Sequence, residues 1–507
     1  MVAKVKSIGL FGIEGFLVDV EADVSSGMPH FDVVGLPDTA VKEAKERVLA
    51  AIRNCGFSVP PAKIVVNLAP ADVKKEGSVY DLPVFLGILQ AMGSINVDFS
   101  GCIFAGELSL SGDIKPTTGI LPTTITAREL GFKKIFVPLS NGMEAAAVEG
   151  IEVYPAKSVR DILEHLTGER LIKKHEAVTH EDISVNKNNF DFLDVCGQEV
   201  PKRAIEIAAA GGHNVLFIGS PGAGKSMLAK RIPTILPPMT LQEKINTTKV
   251  HSIAGTLSHN TSLLTARPFR APHHTISMIG LSGGGRIPKP GELSLAHNGV
   301  LFLDELPEYP KNILEVLRQP LEDGTVTIAR ASGTLTYPCE IILACAMNPC
   351  RCGFYGHPTK RCTCSQSAVR SYLARVSGPL LDRIDIHIEV APVRYDELRG
   401  RGAETSDAIR QRVTRAREVQ QERFKGLEIS SNARLTSTMQ KEFCALTEKS
   451  EAFLKRAFEV LDMSARAYDR VLKVSRTIAD LEGSRDIETE HIAEAVQYRS
   501  LDKKYWQ

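Results

Sequence analysis

No apolar run in this 507-residue chain approaches the ~20 residues that a membrane-spanning helix requires, so a helical membrane protein is not expected. The first residues, MVAKVKSIGLFGIEG, hold no long apolar core and no clear cleavage site. They read as strand and turn rather than as a signal peptide. No internal repeat and no low-complexity tract interrupts the chain. The expected location is the cytoplasm, where ten cysteines argue for thiols or metal ligands rather than disulfides. Bulk charge is missing as well, at a net +1. Two local absences say more. From Lys244 to Gly291 there is neither Asp nor Glu, and residues 341–381 lack them too.

With 43% hydrophobic and 24% charged residues the composition is that of a soluble globular protein. At roughly 100–200 residues per domain, two to four domains are expected. Residues 1–185 carry 18 Lys/Arg against 24 Asp/Glu, and residues 186–507 carry 43 against 36, so the two parts suggest different partners. Residues 1–168 read as mixed α/β. Gly15–Val20 and Ile64–Asn67 are strand-like, and Asp38 to Cys55 is helix-like, with Val41, Ala44, Val48 and Ile52 at helical spacing. Gly106–Leu110 suggests a strand before a turn, Leu121–Leu130 a helix, and Lys134–Pro138 a strand. Residues 169–190 are polar and aperiodic, a linker by pattern. Residues 191–395 alternate strand and helix, which predicts a mostly parallel sheet, and residues 396–507 are helical.

Chemistry concentrates in the second of these regions. Asn214 to Ile218 is a short apolar strand, followed at once by Gly219, Ser220, Pro221, Gly222, Ala223, Gly224, Lys225 and Ser226 and then a helix. This is GxxxxGKS between a strand and a helix, where glycines let backbone N–H groups converge on phosphate oxygens. Lys225 is expected at the β- and γ-phosphates of ATP and Ser226 on Mg²⁺. Val300 to Leu303 predicts a buried parallel strand ending in Asp304 and Glu305. Asp304 suits the Mg²⁺ shell, and Glu305 suits polarising the attacking water. Asn348 closes another apolar strand, Ile341–Cys345, where it can orient water or simply cap a turn. Arg383 is either an ion-pair partner of Asp382 or Asp385, or a finger that stabilises transferred phosphate from a neighbouring subunit.

In this order the motifs resemble an AAA+ ATPase, more narrowly the magnesium-chelatase-like group. The stretches Phe269 to Thr275 and Pro290 to Gly299 look like the ComM/YifB family, and the resemblance covers essentially the whole chain. It implies a hexameric ATPase whose competence members act as DNA helicases in branch migration during natural transformation. It also implies Arg383 as a finger acting in trans and Arg466 as the sensor-2 arginine. The implied fold is α/β: a Lon-protease-like α+β domain at 1–168, a parallel-sheet AAA+ P-loop domain at 191–395 and a helical lid at 396–507. Within the front domain, aligning on Glu76 and Gly77 puts Val79 where Lon-type enzymes carry the nucleophilic serine. Leu121 falls near their lysine, so a non-proteolytic domain is expected there, used for assembly or for positioning a partner, such as a protein client, or nucleic acid.

The acid-free stretch carries Lys244, Lys249, Arg267, Arg270, Arg286 and Lys289, the local excess that phosphate neutralisation needs. Ser282–Lys289 reads as a mobile loop, and Val326–Thr336 resembles the presensor-1 hairpin with Arg330 near its tip. Cys350, Cys352, Cys362 and Cys364 form two CxC pairs that could supply four thiolates to one structural Zn²⁺, or stay reduced and unligated. A stapled loop would carry Arg351, Lys360 and Arg361 toward DNA. The reading is thus a ring-forming ATPase, a homo-hexamer, working on single-stranded or branched DNA. The alternative is a remodeller of a protein or metallochelatase client driven by the same motor.

Overall fold

The computed structural model describes residues 2–176, 190–258, 261–285, 288–330, 333–393 and 404–506. Most of the expected linker, Arg286, the side chain of Arg330 and the start of the expected lid lie outside the described residues. The chain divides into two compact units, Met1–Ser184 with Leu241–Leu264, and Val185–Thr240 with Thr265–Gln507. Among the described residues no helix is long and apolar enough to cross a membrane, and there is no disulfide.

The first unit is built on a four-stranded sheet in the order Ala3–Phe11, Glu14–Ser26, Ala62–Ala69, His30–Val34. Its strands alternate buried and exposed residues, as one-sided burial requires. Asp38 caps the helix Thr39–Asn54 by accepting from the Val41 N–H at 2.8 Å, and Val41, Ala44, Val48, Ala51 and Ile52 face inward. The helix Asp81–Ala91 is buried from Asp81 to Leu89. A helix covered on all sides shows no polar–apolar period, so periodicity alone does not reveal it. A parallel three-stranded sheet follows, in the order Cys102–Phe104, Lys134–Pro138, Glu152–Ala156. Leu121 is fully buried in an apolar cluster with Ile125, Ala147, Val148 and Leu263. No amine stands there for a Lon-type dyad, and the Ser78 hydroxyl donates to Glu107 instead.

The segment Leu241–Leu264 belongs to this first unit although the phosphate loop precedes it in the chain. Its helix, Leu241–Ala254, carries Ser252, whose hydroxyl donates to Glu144 Oε1 at 2.5 Å. Glu144 also accepts from the Leu121 N–H at 2.8 Å and from Asn141 Nδ2 at 2.9 Å. Burial pushes the Glu144 carboxyl above its ordinary range, and these donors only partly oppose it. The acid-free stretch is divided between the units: Lys244 and Lys249 lie on this helix, and Arg267, Arg270 and Lys289 belong to the second unit.

The second unit holds a five-stranded, wholly parallel sheet. Its order is Phe269–Arg270, Gly299–Leu303, Ile341–Met347, Val215–Ile218, Ile386–Glu389. The three central strands are buried along their whole length, which is why they read as continuous apolar runs. Helices Ser406–Arg423, Glu448–Val460, Ala465–Glu482 and Thr489–Gln497 follow, and Ser500–Tyr505 ends the series. Thr405, Thr447 and Ser464 cap the first three of them. A single apolar cluster joins sheet residues such as Phe217 and Ala344 to Val471, Leu472 and Ile478 of the long C-terminal helix.

A buried polar knot ties the same helix to the sheet edge. His213 Nδ1 lies 3.0 Å from Asp385 Oδ2 and its Nε2 lies 2.8 Å from the Thr477 hydroxyl. Arg470 reaches Asp385 Oδ1 at 3.2 Å. Burial works against the Asp385 charge, but Arg470 and His213 outweigh it and hold the carboxyl far below its usual range. Burial keeps His213 neutral-leaning, with its pKa pushed down against the pull of Asp385. Removing one partner of such a pair costs about 3–5 kcal/mol, so the knot fixes the lid against the strand that carries Arg383 to its start.

Candidate nucleotide site

The loop between the strand Val215–Ile218 and the helix Lys225–Ala229 is shaped by close approach and by handedness. A Cβ on Gly219 would sit 2.4 Å from the Val390 carbonyl oxygen, so only glycine fits there. Gly222 and Gly224 have φ of 81° and 95°, the left-handed region that turns successive N–H groups inward. The loop lines a cavity of about 350 Å³ together with Asp304, Glu305, Met347 and Asn348. This is within the size range of small-molecule sites.

Lys225 is buried at the cavity floor and uses all three of its donors. Nζ donates to the carbonyls of Gly219 at 2.7 Å and Ser220 at 3.0 Å, and to Asn348 Oδ1 at 3.1 Å. Burial lowers its pKa, and Asp304 opposes the shift. The Ser226 hydroxyl donates to Asp304 Oδ2 at 2.6 Å, and Asp304 Oδ1 accepts the Glu305 N–H at 2.9 Å. The hydroxyl and carboxylate suited to Mg²⁺ thus stand side by side. Glu305 has φ of 52°, a strained value for a residue with a side chain, and more than half of that side chain is exposed. Five of the residues expected at the site from sequence, Lys225, Ser226, Asp304, Glu305 and Asn348, therefore meet around one cavity.

Arg383 and Arg466 are not among the cavity-lining residues. Arg383 Nη2 pairs with Glu322 Oε1 at 2.5 Å, and its Nη1 donates to the Pro379 carbonyl at 2.6 Å. Neither Asp382 nor Asp385, the two partners expected for an ion pair, meets Arg383, which takes Glu322 instead. Asp382 takes Arg466 at 3.2 Å, and Asp385 is committed to the buried knot. Neighbours in sequence lost to a carboxylate on the helix Arg318–Asp323, a long-range contact that spacing does not encode.

One contact escaped the sequence. His274 Nδ1 lies 3.3 Å from Glu305 Oε2, an ion pair only when the ring is protonated. The adjacency of His273 and His274 speaks only against metal ligation, and gives no hint of this contact. The four cysteines that the sequence offers to one ion stand together. The sulfurs of Cys350, Cys352, Cys362 and Cys364 all lie within 4.8 Å of one another. Three of the spacings are 3.3, 3.7 and 3.5 Å. A tetrahedron with metal–sulfur bonds of about 2.3 Å has edges of about 3.8 Å, so the four thiols fit a Zn²⁺ ion. Burial opposes ionisation of Cys352, yet the N–H groups of Thr363 and Phe354 hold its thiol well below the ordinary range.

Three family descriptions match consecutive stretches: Magnesium chelatase, subunit ChlI over residues 191–398; Subunit ChlI of Mg-chelatase over 20–141; and Magnesium chelatase, subunit ChlI C-terminal over 403–499. Competence protein ComM of Haemophilus influenzae is 43% identical over 504 residues, 98% of this chain and 97% of its own length. The chain belongs to the ComM/YifB family. A second member, the uncharacterized protein YifB of Salmonella typhimurium, is 38% identical over 507 residues, 99% of this chain and 97% of its own. Lon protease 2 of Bacillus subtilis is 24% identical over 183 residues, 32% of this chain and 33% of its own. The magnesium-chelatase-like AAA+ fold expected from the motifs is the family's fold, with its parallel sheet and helical C-terminal region.

Proposed function

We propose that this member of the ComM/YifB family is an ATP-hydrolysing, ring-forming motor that acts on DNA. The observation that carries the ATPase reading is the pair of bonds at one cavity, Lys225 to Asn348 and Ser226 to Asp304. In this reading Lys225 exchanges loop carbonyls for the β- and γ-phosphate oxygens of ATP. Ser226 and Asp304 hold Mg²⁺, which neutralises phosphate charge when bound. Glu305 polarises the attacking water and Asn348 orients it. Arg383, off its own cavity, leaves Glu322 to reach the phosphate of a neighbour in a homo-hexamer. Arg466, on the lid helix, acts as the sensor of bound nucleotide. The cysteine knuckle holds a structural Zn²⁺. The domain limits 1–168, 191–395 and 396–507 and a cytoplasmic location are part of the same proposal.

For DNA, support comes from a relative named for competence and from the acid-free surface. That surface is smaller than the sequence suggests. Arg270 is paired bidentately with Glu292 at 2.6 Å, and Arg267 donates to the carbonyls of Pro237 and Asn298. Lys289 stays exposed beside the Gly283–Gly284 pairing, and Arg351, Lys360 and Arg361 are exposed on the knuckle. Helicase action and branch migration in natural transformation are the finer part of the proposal. A protein client is the second reading, favoured by the acidic excess of residues 1–185.

Binding to a forked DNA, measured by anisotropy across a salt series, tests the DNA reading. Affinity is expected to fall steeply with salt, and Lys289→Ala is expected to reduce the log–log slope by about 1. Salt-independent affinity, or none at low salt, would overturn it.

A further inference from the structure

The cysteine knuckle touches the phosphate loop from behind. Gly353, between the two CxC pairs, has φ of +84°, and a Cβ there would lie 2.4 Å from Pro221 Cδ and 2.7 Å from Pro221 Cγ. Pro221 is a cavity-lining residue of the phosphate loop. The knuckle is also continuous with Asn348, whose Oδ1 receives Lys225 Nζ, because Cys350 follows two residues later. Inside the knuckle the Gly353 N–H donates to the Cys350 carbonyl at 3.0 Å, and Lys360 Nζ stands 5.0 Å from the centre of the Phe354 ring. His357 Nδ1 accepts from the N–H groups of Thr359 and Lys360 at 3.1 and 2.9 Å, and the Tyr355 ring lies 6.5 Å from that of Tyr505. Among the described residues no strand or helix covers 348–365. The segment meets the nucleotide cavity at Pro221 and at Lys225, and the four sulfurs gather inside it.

We propose that the metal on Cys350, Cys352, Cys362 and Cys364 is a brace for the phosphate loop, so that ATP affinity follows metal occupancy. This rests on the zinc reading above and extends it. With the four thiolates on one Zn²⁺, Gly353 presses on Pro221 and Asn348 stays in reach of Lys225. Without the ion, the Gly353–Pro221 contact and the Asn348 position relax together, and the loop loses the conformation that presents its N–H groups to phosphate. The device needs no covalent step, since it works through a bound ion and a backbone contact. Outer-shell partners of a metal typically change metal affinity or activity by about 10–100-fold, and an effect on nucleotide affinity at the lower end of that range is expected here.

The test uses the full chain with Mg²⁺ held constant. Zinc content is measured by mass spectrometry and the dissociation constant of a fluorescent ATP analogue by anisotropy. Both are followed before and after a zinc-selective chelator and after zinc is returned. About one zinc per chain is expected, and its removal is expected to weaken nucleotide binding about tenfold or more, reversibly. Gly353→Ala keeps all four ligands while its methyl group drives the knuckle off Pro221. It is expected to retain zinc and still bind nucleotide about tenfold more weakly. Zinc lost with an unchanged dissociation constant, together with unchanged binding by Gly353→Ala, would overturn the brace and leave the zinc site standing. Protein that binds no zinc would overturn both.

Discussion

Replacing Glu305 by Gln is expected to leave ATP binding within about threefold of the parent and to slow hydrolysis by about a hundredfold or more. The substitution keeps side-chain length and the ability to meet His274, and removes only the charge that draws a proton from water. Glu305 is suited to the task by its placement, at the end of the buried strand Gly299–Leu303 and on the rim of the cavity that Lys225 floors. Its neighbour Asp304, which accepts the Ser226 hydroxyl, is the carboxylate assigned to Mg²⁺ in the proposed function. A binding assay and a single-turnover assay on one preparation separate the two effects. Turnover within tenfold of the parent would mean that another group activates the water.

The second large effect concerns Arg383. In the proposed ring, Arg383→Ala and Lys225→Ala proteins are each expected to be nearly inactive, since an arginine finger contributes on the order of 10³–10⁵ to phosphoryl transfer. Mixed in equal amounts and allowed to exchange subunits, they are expected to regain activity. About a quarter of the interfaces then join an intact phosphate loop to a neighbour with an intact arginine, so turnover returns to the order of a quarter of the parent rate. The structure motivates the experiment by what Arg383 does at rest, held by Glu322 and by the Pro379 carbonyl and absent from the cavity lining of its own chain. If Arg383 served its own site, no subunit in the mixture would hold both residues, and the mixture would stay as inactive as its parents.

The parts of this protein that the sequence reveals are those written in consecutive residues. A strand, a glycine loop and a helix follow one another over 214–229, and the buried strand ending in Asp304 and Glu305 follows the same logic. Capped amphipathic helices such as Thr39–Asn54 announce themselves through period and cap. What stayed hidden depends on folding distant segments together. The choice of Glu322 by Arg383, the contact of His274 with Glu305 and the close approach of Gly353 to Pro221 have no local signature. Nor does the membership of Leu241–Leu264 in the first unit, which follows from Ser252 reaching Glu144 and from Leu263 packing on Leu121 and Ile125. The cysteines lie between these cases. Their spacing proposes a metal, and only the clustering of their sulfurs shows that the chain brings them together.

In the proposed function, ATP hydrolysis at the Lys225–Asp304 site is coupled to DNA. The most direct measurement is the steady-state ATPase rate of the full chain with and without single-stranded and forked DNA, across a salt series. A rate raised several-fold by DNA is expected, with the stimulation fading between about 50 and 200 mM salt as phosphate contacts are screened. A robust ATPase rate indifferent to DNA at every salt concentration would contradict it and turn attention to a protein client of the acidic first unit.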